Sequence, residues 1–461
     1  MNKRKPPRPP AASTPPRRGI GRTARDAALH ALMSYRKSGV FLEDALDREI
    51  KRQNLNARDA GLASKLTFGV LQNRTLLDFY IGQFSSTPTE KLEPRVLDIL
   101  RLAGYQIIFL DRIPARAAID EAVEQTKKTS PKAAGLVNAV SRRIAERADA
   151  LPEVPRDDLA SYLSIQYSHP KWLVERFIAD LGTDGAEALL KANNEDVPIY
   201  AQVNTLQTNA AQVAETLQAE GVEVELHPWL TDCLILQHTG NVTKLKPFRD
   251  GALYIQDPAA RLAIKAADPK PGTRLLDACA APGGKSFAAG IHMQNQGEIF
   301  AFDIADKKIT RIEEGARRLG LTIIQASAKD ARTIDSSEIG TFDTVIVDAP
   351  CSGLGIIRKK PEIRDKTPQE IERLPEIQLE ILQAASKCVA PGGVLLYATC
   401  TILPEENSGV IKAFLEQSND FVLEAFTLPG EIGTVSEGQI TLYPHIHGTD
   451  GFFISKLRRV N

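Results

Sequence analysis

Two short segments, DAPCSG at Asp348–Gly353 and YATCT at Tyr397–Thr401, each place a cysteine just beyond an apolar run that reads as a buried strand. A parallel sheet gathers its strand tips at one crevice, so thiols about fifty positions apart can face one ligand there. The chemistry that suits such a pair is covalent activation of a pyrimidine. Carbon 5 of cytosine is a poor nucleophile, but a thiolate added at carbon 6 turns the ring into an enamine that can attack a methyl sulfonium. The thiolate needs a lowered pKa, which a cationic group or a helix N-terminus provides. Asp348, beside the base, can hold the proton on ring nitrogen 3 and the exocyclic amine. A base must then take the carbon 5 proton, and a second cysteine can assist departure of the first. Spacing alone leaves open which of Cys351 and Cys400 attacks.

A cofactor site has to lie beside these thiols. The strand RLLDA runs straight into CAAPGGKS, residues 279–286, ahead of a helix. Small residues let the backbone approach a ligand closely, and a first helical turn offers unpaired N–H donors. A phosphate-binding P-loop is excluded because Cys279 stands where its first glycine belongs, and the adjacent Gly283 and Gly284 do not make a dinucleotide G-x-G-x-x-G. The remaining ligand is a nucleoside without a pyrophosphate, such as S-adenosylmethionine. Asp303 ends the next strand about 20 residues past the glycines, where an acid typically bonds ribose hydroxyls. Asp330 follows the third strand, placed for an adenine amino group. Either acid could instead cap a helix.

The elements that carry these residues fall into three regions. Residues 22–147 show apolar positions at i, i+3 and i+4 almost throughout, which predicts an all-helical bundle. Residues 148–161, ADALPEVPRDDLAS, are polar with two prolines and fit a linker. A small helical and α+β region, residues 161–250, follows with strand, helix, strand and strand in PIYAQVN, NAAQVAETLQAEG, VEVELHP and CLILQ. YSHPKW, Tyr167–Trp172, reads as a helix start without a catalytic role. Residues 251–461 alternate strand and helix, including a long helix reaching Val389, and specify a Rossmann-like, mainly parallel sheet with right-handed crossovers. GFFISKLR reads as an added antiparallel edge strand.

Composition narrows the class. A chain of 461 residues, 43% hydrophobic and 25% charged, suits a globular protein of about three domains. No apolar run reaches the roughly 18 residues of a membrane span and no apolar signal segment opens the chain, so a cytoplasmic protein is expected. The net charge of −1 means that any nucleic-acid affinity comes from patches. One is the N-terminal arm, residues 1–21, read as basic and disordered: the first 25 residues carry eight Lys or Arg and no acid. A solubilising tail is the equal alternative. The five cysteines, with no C-x-x-C pair, argue against disulfides and against a zinc site. Cys233 and Cys388 read as small buried hydrophobes, and His445 and His447 as surface or capping residues with no metal implied.

DACAAPGGKS, DAPCSG and ATCT, in this order, resemble the RNA 5-methylcytosine methyltransferase family. ARDAGLASKLTFGVLQ, LRLAGYQIIFLDRIPARAAIDEAVE and GLVNAVSRR resemble the antitermination factor NusB. The combination is similar to bacterial methyltransferases of 16S rRNA, from about residue 23 to the end of the chain. The resemblance implies Cys400 as nucleophile, Cys351 as the partner that helps release product, and catalytic roles for Asp348 and Lys285. It also implies a cofactor site at Cys279, Ala280, Ala281, Pro282, Gly283, Gly284, Lys285, Asp303, Asp330 and Asp348. The cofactor it implies is S-adenosylmethionine, and the partner is 16S rRNA or a small-subunit assembly intermediate. The chain departs from the family after GLG, where Asp365 follows Arg364 in place of an aromatic that relatives often carry. Lys359, Lys360 and Arg364 are read there as phosphate contacts or as a solvated basic loop. Arg22, Arg25, Arg112 and Arg116 are candidate RNA contacts on the bundle. The competing readings are the same chemistry on tRNA or another rRNA site, and a non-catalytic RNA-binding or ribosome-assembly factor.

Overall fold

The computed structural model describes residues 23–461, so the basic arm and Arg22 lie outside the described residues. The chain forms two compact units, the first ending at Glu153 and the second spanning Val154–Asn461. Among the described residues the first is all helical: α1 (Ala24–Ser38), α2 (Leu42–Gln53), α3 (Ala57–Gln72), α4 (Arg74–Phe84), α5 (Pro94–Phe109), α6 (Ala115–Thr129) and α7 (Ala134–Glu146). The side chain of Thr23 caps α1 by accepting from the Asp26 N–H, and Gly39 closes it at φ 63°. The apolar stripes meet in a core that includes Leu66, Ile99, Leu100, Val137 and Val140. A Cβ on Gly69 would stand 2.0 Å from the Tyr105 ring, so glycine is what lets α3 and α5 approach. Of the proposed RNA contacts, Arg112 and Arg116 are exposed, whereas Arg25 donates to Gln106 Oε1 at 2.6 Å.

The second unit opens with α8 (Leu159–Gln166) and α9 (Lys171–Ala192), the latter broken at Gly182, where φ is 70°. A small antiparallel sheet follows, from β1 (Ile199–Val203), α10 (Ala210–Ala219), β2 (Glu223–Leu226), β3 (Cys233–Gln237), the short α11 (Lys246–Arg249) and β4 (Leu253–Ile255), in the order β2-β3-β1-β4. Sequence reading ended this region at residue 250. The structure carries it to Ile255, because β4 pairs with β1.

The remainder comprises α12 (Pro258–Ala267), β5 (Arg274–Asp277), α13 (Gly284–His292), β6 (Glu298–Asp303), α14 (Asp306–Leu319), β7 (Ile324–Ala328), β8 (Phe342–Asp348), α15 (Pro368–Ile371), α16 (Leu374–Ser386), β9 (Val389–Thr399), α17 (Ser408–Leu415), β10 (Phe421–Leu423), β11 (Phe426–Leu428), β12 (Gly433–Val435), β13 (Gln439–Leu442), α18 (Pro444–His447) and β14 (Phe452–Arg459). The main sheet runs β10-β14-β9-β8-β5-β6-β7, with β13 also on β14; β5 to β9 are mutually parallel. Neighbours along a strand serve opposite faces. Leu275, Ile346 and Leu396 enter one core, and Leu276, Val345 and Leu395 the other.

Two expectations change. The segment GFFISKLR is antiparallel but interior, lying between β9 and β10, and its run Phe452–Leu457 is buried throughout, as a strand covered on both faces must be. The long helix to Val389 is two helices, α15 and α16, and Val389 begins β9.

Candidate active site

The C-terminal tips of β5, β6, β8 and β9 open on one cavity of about 460 Å3. It brings together Cys279, Ala281, Asp303, Asp330, Asp348, Cys351 and Cys400, seven of the positions singled out in the sequence. The other five do not line it. Ala280 is buried in the core and donates its N–H to Phe302 O at 2.7 Å. The Ala281–Pro282 peptide is cis. Gly283 sits at φ 106°, a conformation that favours glycine, and a Cβ there would come within 2.5 Å of the Phe287 ring. A Cβ on Gly284 would press on Gln256 Nε2 at 3.1 Å. Lys285 lies beneath the loop, 8% exposed, with Nζ 2.5 Å from Asp348 Oδ2.

The two thiols stand 3.1 Å apart, Sγ to Sγ, and neither is in a disulfide. Their loops are tied together. Gly355 N donates to Cys400 O at 3.0 Å, and the Ser352 and Thr401 hydroxyls lie 2.8 Å apart. A Cβ on Gly355 would fall 1.9 Å from Gly451 O. Sequence reading missed Glu406, which is 1% exposed. Its Oε2 accepts from Ser352 N at 2.9 Å and Gln378 Nε2 at 2.8 Å, and its backbone oxygen accepts from the Tyr397 hydroxyl at 2.7 Å. The one signal was a pair of acids in PEEN, residues 404–407, which begins four positions after the second cysteine.

Charges in the site are arranged against burial. Hydrogen bonding to Cys400, together with burial, raises the Cys351 thiol well above its ordinary range, so this cysteine keeps its proton. Burial would lower Lys285, but Asp348 outweighs it and holds the ammonium charged. Burial pushes Asp277, at the tip of β5, up to about 6 against the opposing bond from Ser286 Oγ at 2.6 Å. Burial, then Asp277, Asp348 and Asp303, raise the Cys279 thiol, which makes it an inert lining group.

The nucleoside end of the cavity fits the expected cofactor. Asp303 Oδ2 accepts from Ala281 N at 3.2 Å while Oδ1 pairs with Lys308 at 3.2 Å, and Asp330 pairs with Arg332 at 2.7 Å. Ile304, unanticipated from sequence, lines the cavity next to Asp303 and is 68% exposed, an apolar face available to a purine ring. Among the described residues there is no group of three His, Cys, Asp or Glu that could hold a metal, and no helix long and apolar enough to cross a membrane.

The basic loop after Cys351 corrects the phosphate reading. Arg364 is 4% exposed and donates to Ser168 O and Asn193 O at 3.1 Å each, Tyr167 O at 3.3 Å and Asn194 Oδ1 at 2.5 Å. Lys359 bridges Asp257 at 2.6 Å and Asp450 at 2.7 Å, with Arg358 alongside. Burial pushes Asp257 up, but Lys359 and Arg358 outweigh it and keep that carboxyl below its usual range. Both side chains therefore fasten the loop to the protein; Lys360 is exposed.

Comparison with known proteins places the chain. Residues 264–458 match the family model "16S rRNA methyltransferase RsmB/F", residues 22–146 the NusB family, and residues 169–243 a ferredoxin-like domain of RsmF/B-like methyltransferases. The chain is 38% identical over 445 residues to the probable ribosomal RNA small subunit methyltransferase B of Bacillus subtilis, covering 95% of this chain and 99% of that protein. It is 32% identical to ribosomal RNA small subunit methyltransferase B of Klebsiella pneumoniae, over 94% of this chain and 97% of that one. Among solved structures, PH0851 aligns at a TM-score of 0.79 and 28% identity, over 96% of this chain and 99% of that one. NSun6 from Pyrococcus horikoshii, solved with SFG, aligns at 0.57 and 25%, over 63% and 98%.

Proposed function

The chain belongs to the RsmB/F family of 16S rRNA methyltransferases, and from that premise we propose that it methylates carbon 5 of a cytosine in 16S rRNA through a covalent adduct on Cys400. It is an S-adenosylmethionine-dependent methyltransferase, and the cofactor supplies an electrophilic methyl group when bound. The observation that carries the proposal is the approach of Cys351 and Cys400 to 3.1 Å on the cavity that also holds Asp303 and Asp348.

Each residue then has a task. The Cys400 sulfur forms a bond to carbon 6 while its proton passes to ring nitrogen 3, which moves ring electron density toward carbon 5. Asp348, fixed by Lys285, holds the proton on nitrogen 3 and the exocyclic amine as negative charge develops. Once carbon 5 has taken the methyl group and given its own proton to a base, the carbon 6–sulfur bond breaks and Cys351 S–H stabilises the departing Cys400 thiolate. Asp303 and Asp330 orient the nucleoside of the cofactor, and Ile304 packs on its base. The helical N-terminal unit adds RNA-binding surface, with Arg112 and Arg116 as its contacts. The substrate is the 16S rRNA or an assembly intermediate of the small subunit.

The test is incubation with labelled S-adenosylmethionine and unmodified 16S rRNA, with tRNA and 23S rRNA in parallel, and bisulfite mapping of the product. A single 16S cytosine is expected. Cys400→Ala abolishes transfer while cofactor binding persists, and Cys351→Ala traps a protein–RNA adduct visible on a denaturing gel. Label confined to tRNA or 23S rRNA would overturn the substrate, and parent-like transfer by Cys400→Ala would overturn the mechanism.

A further inference from the structure

A second cavity, of about 650 Å3, lies in the same unit and takes no part in the chemistry above. Trp172 of α9, Ile371 of α15, Pro375 of α16 and Leu403 give it apolar walls, and Glu406 lines it as well. Two features join it to the reacting thiols. The first is α16, which presents Pro375 to this cavity and Ile377 and Ile381 to the catalytic one. The second is Glu406. Its Oε2 holds the backbone N–H of Ser352, the residue after Cys351, while its Oε1 is buried with no hydrogen-bond partner.

A buried carboxylate oxygen without a donor is costly, and a ligand carrying an N–H removes the cost. The walls say what else that ligand is. An aromatic indole and aliphatic side chains beside glutamate carboxylates suit a flat ring with an amino group. The lining does not suit phosphate, because Glu372, Glu405 and Glu406 outnumber Arg176, which itself pairs with Asp180 at 2.7 Å and Glu405 at 2.5 Å. Proteins that read single-stranded RNA commonly splay bases out and stack them on aromatic side chains while bonding their edges.

We propose that this cavity receives an unstacked, amino-bearing base of the substrate RNA flanking the target cytosine, stacked on Trp172 and donating to Glu406 Oε1. The inference rests on the RNA methyltransferase reading and adds a sequence-reading subsite to it. The flanking base sets the register that delivers its neighbour to Cys400.

The chain has two tryptophans, Trp172 and Trp229, so Trp229→Phe leaves Trp172 as the sole indole reporter. The probe is a short single-stranded RNA spanning the methylated cytosine, bound to the full-length variant. Its binding should quench the fluorescence, and the same strand made abasic at the flanking position should not. Trp172→Ala should raise KM for the RNA about tenfold with cofactor affinity unchanged, and Trp172→Phe should restore it, in keeping with base stacking at an aromatic platform. Methylation of the strand with constant Trp172 fluorescence would overturn this proposal alone. Failure of the parent protein to methylate any RNA would overturn the function reading, and this proposal with it.

Discussion

Replacing Arg364 by Met tests whether the loop after Cys351 is held by the protein or reserved for RNA. The change keeps an apolar stem and removes four donated bonds, three of them to the backbone carbonyls of Tyr167, Ser168 and Asn193 at the ends of α8 and α9. Bonds from a charged donor contribute about 1.5–3 kcal/mol each, so these four sum to about 6–12 kcal/mol before any offset. Loss of the guanidinium also relieves its own burial, which offsets part of that, and breaking such a buried network costs about 3–5 kcal/mol. Both tryptophans lie within Val154–Asn461, so urea unfolding followed by their fluorescence reports on that unit alone. With a slope of about 3 kcal/mol per molar urea, the midpoint should fall by about 1–1.7 M. A loss under about 1 kcal/mol, accompanied by a raised KM for RNA, would refute the structural assignment and return Arg364 to phosphate binding.

Gly355→Ala should reduce turnover at least a hundredfold while leaving cofactor affinity intact, because the new Cβ meets Gly451 O at 1.9 Å and displaces the N–H that holds Cys400 O; isothermal titration alongside methyl transfer separates the two. Asp277 titrates near 6 when folded against 3.8 when exposed, so its burial penalty is fully present above about pH 6 and is relieved as pH falls toward 4, when the folded state binds the proton first. Relative to Asp277→Asn, the parent should therefore gain about 1 kcal/mol between pH 7 and pH 5 and about 2 kcal/mol by pH 4, and a flat difference in urea stability over that range would contradict the assignment.

What could be read from sequence was what repeats locally or ends a strand. The apolar runs through Leu275–Leu276 and Leu395–Leu396, and the acids and cysteines that follow those runs, marked the sheet and its crevice. The NusB-like helices were legible because their stripes are continuous. The status of β14 was not, since an edge strand and an interior one carry the same local signal, and only the partners of Phe452–Leu457 decide between them. Strand β4 is three residues long, too short to leave a period. Arg364 and Lys359 were misread for a physical reason. Their acceptors lie 91 to 197 positions away, and a basic residue in a loop looks the same whether it faces water or a distant carboxylate.

The same long-range ties bear on the division of labour between the thiols. Ala349 N donates to Ala398 O, Gly355 N to Cys400 O, and Ser352 N to Glu406, so the loops carrying Cys351 and Cys400 are joined by bonds on both sides of each sulfur. Their separation is thus set by backbone and by buried side chains, which is what holds a reacting pair in geometry. Within that fixed pair the environments differ. Cys351 has its proton held on by the Cys400 contact, by burial, and by the charges of Glu406 and Asp348. A thiol that keeps its proton is a poor attacker but a good donor to a departing thiolate. On the proposed chemistry, a Cys351 that keeps its proton suits the release step, and attack by Cys400 rests on the family resemblance. Glu406→Gln removes one of the charges holding that proton while retaining an acceptor for Ser352 N, so adduct release should slow and its pH profile shift toward acid. An unchanged profile for release would deny Cys351 its part.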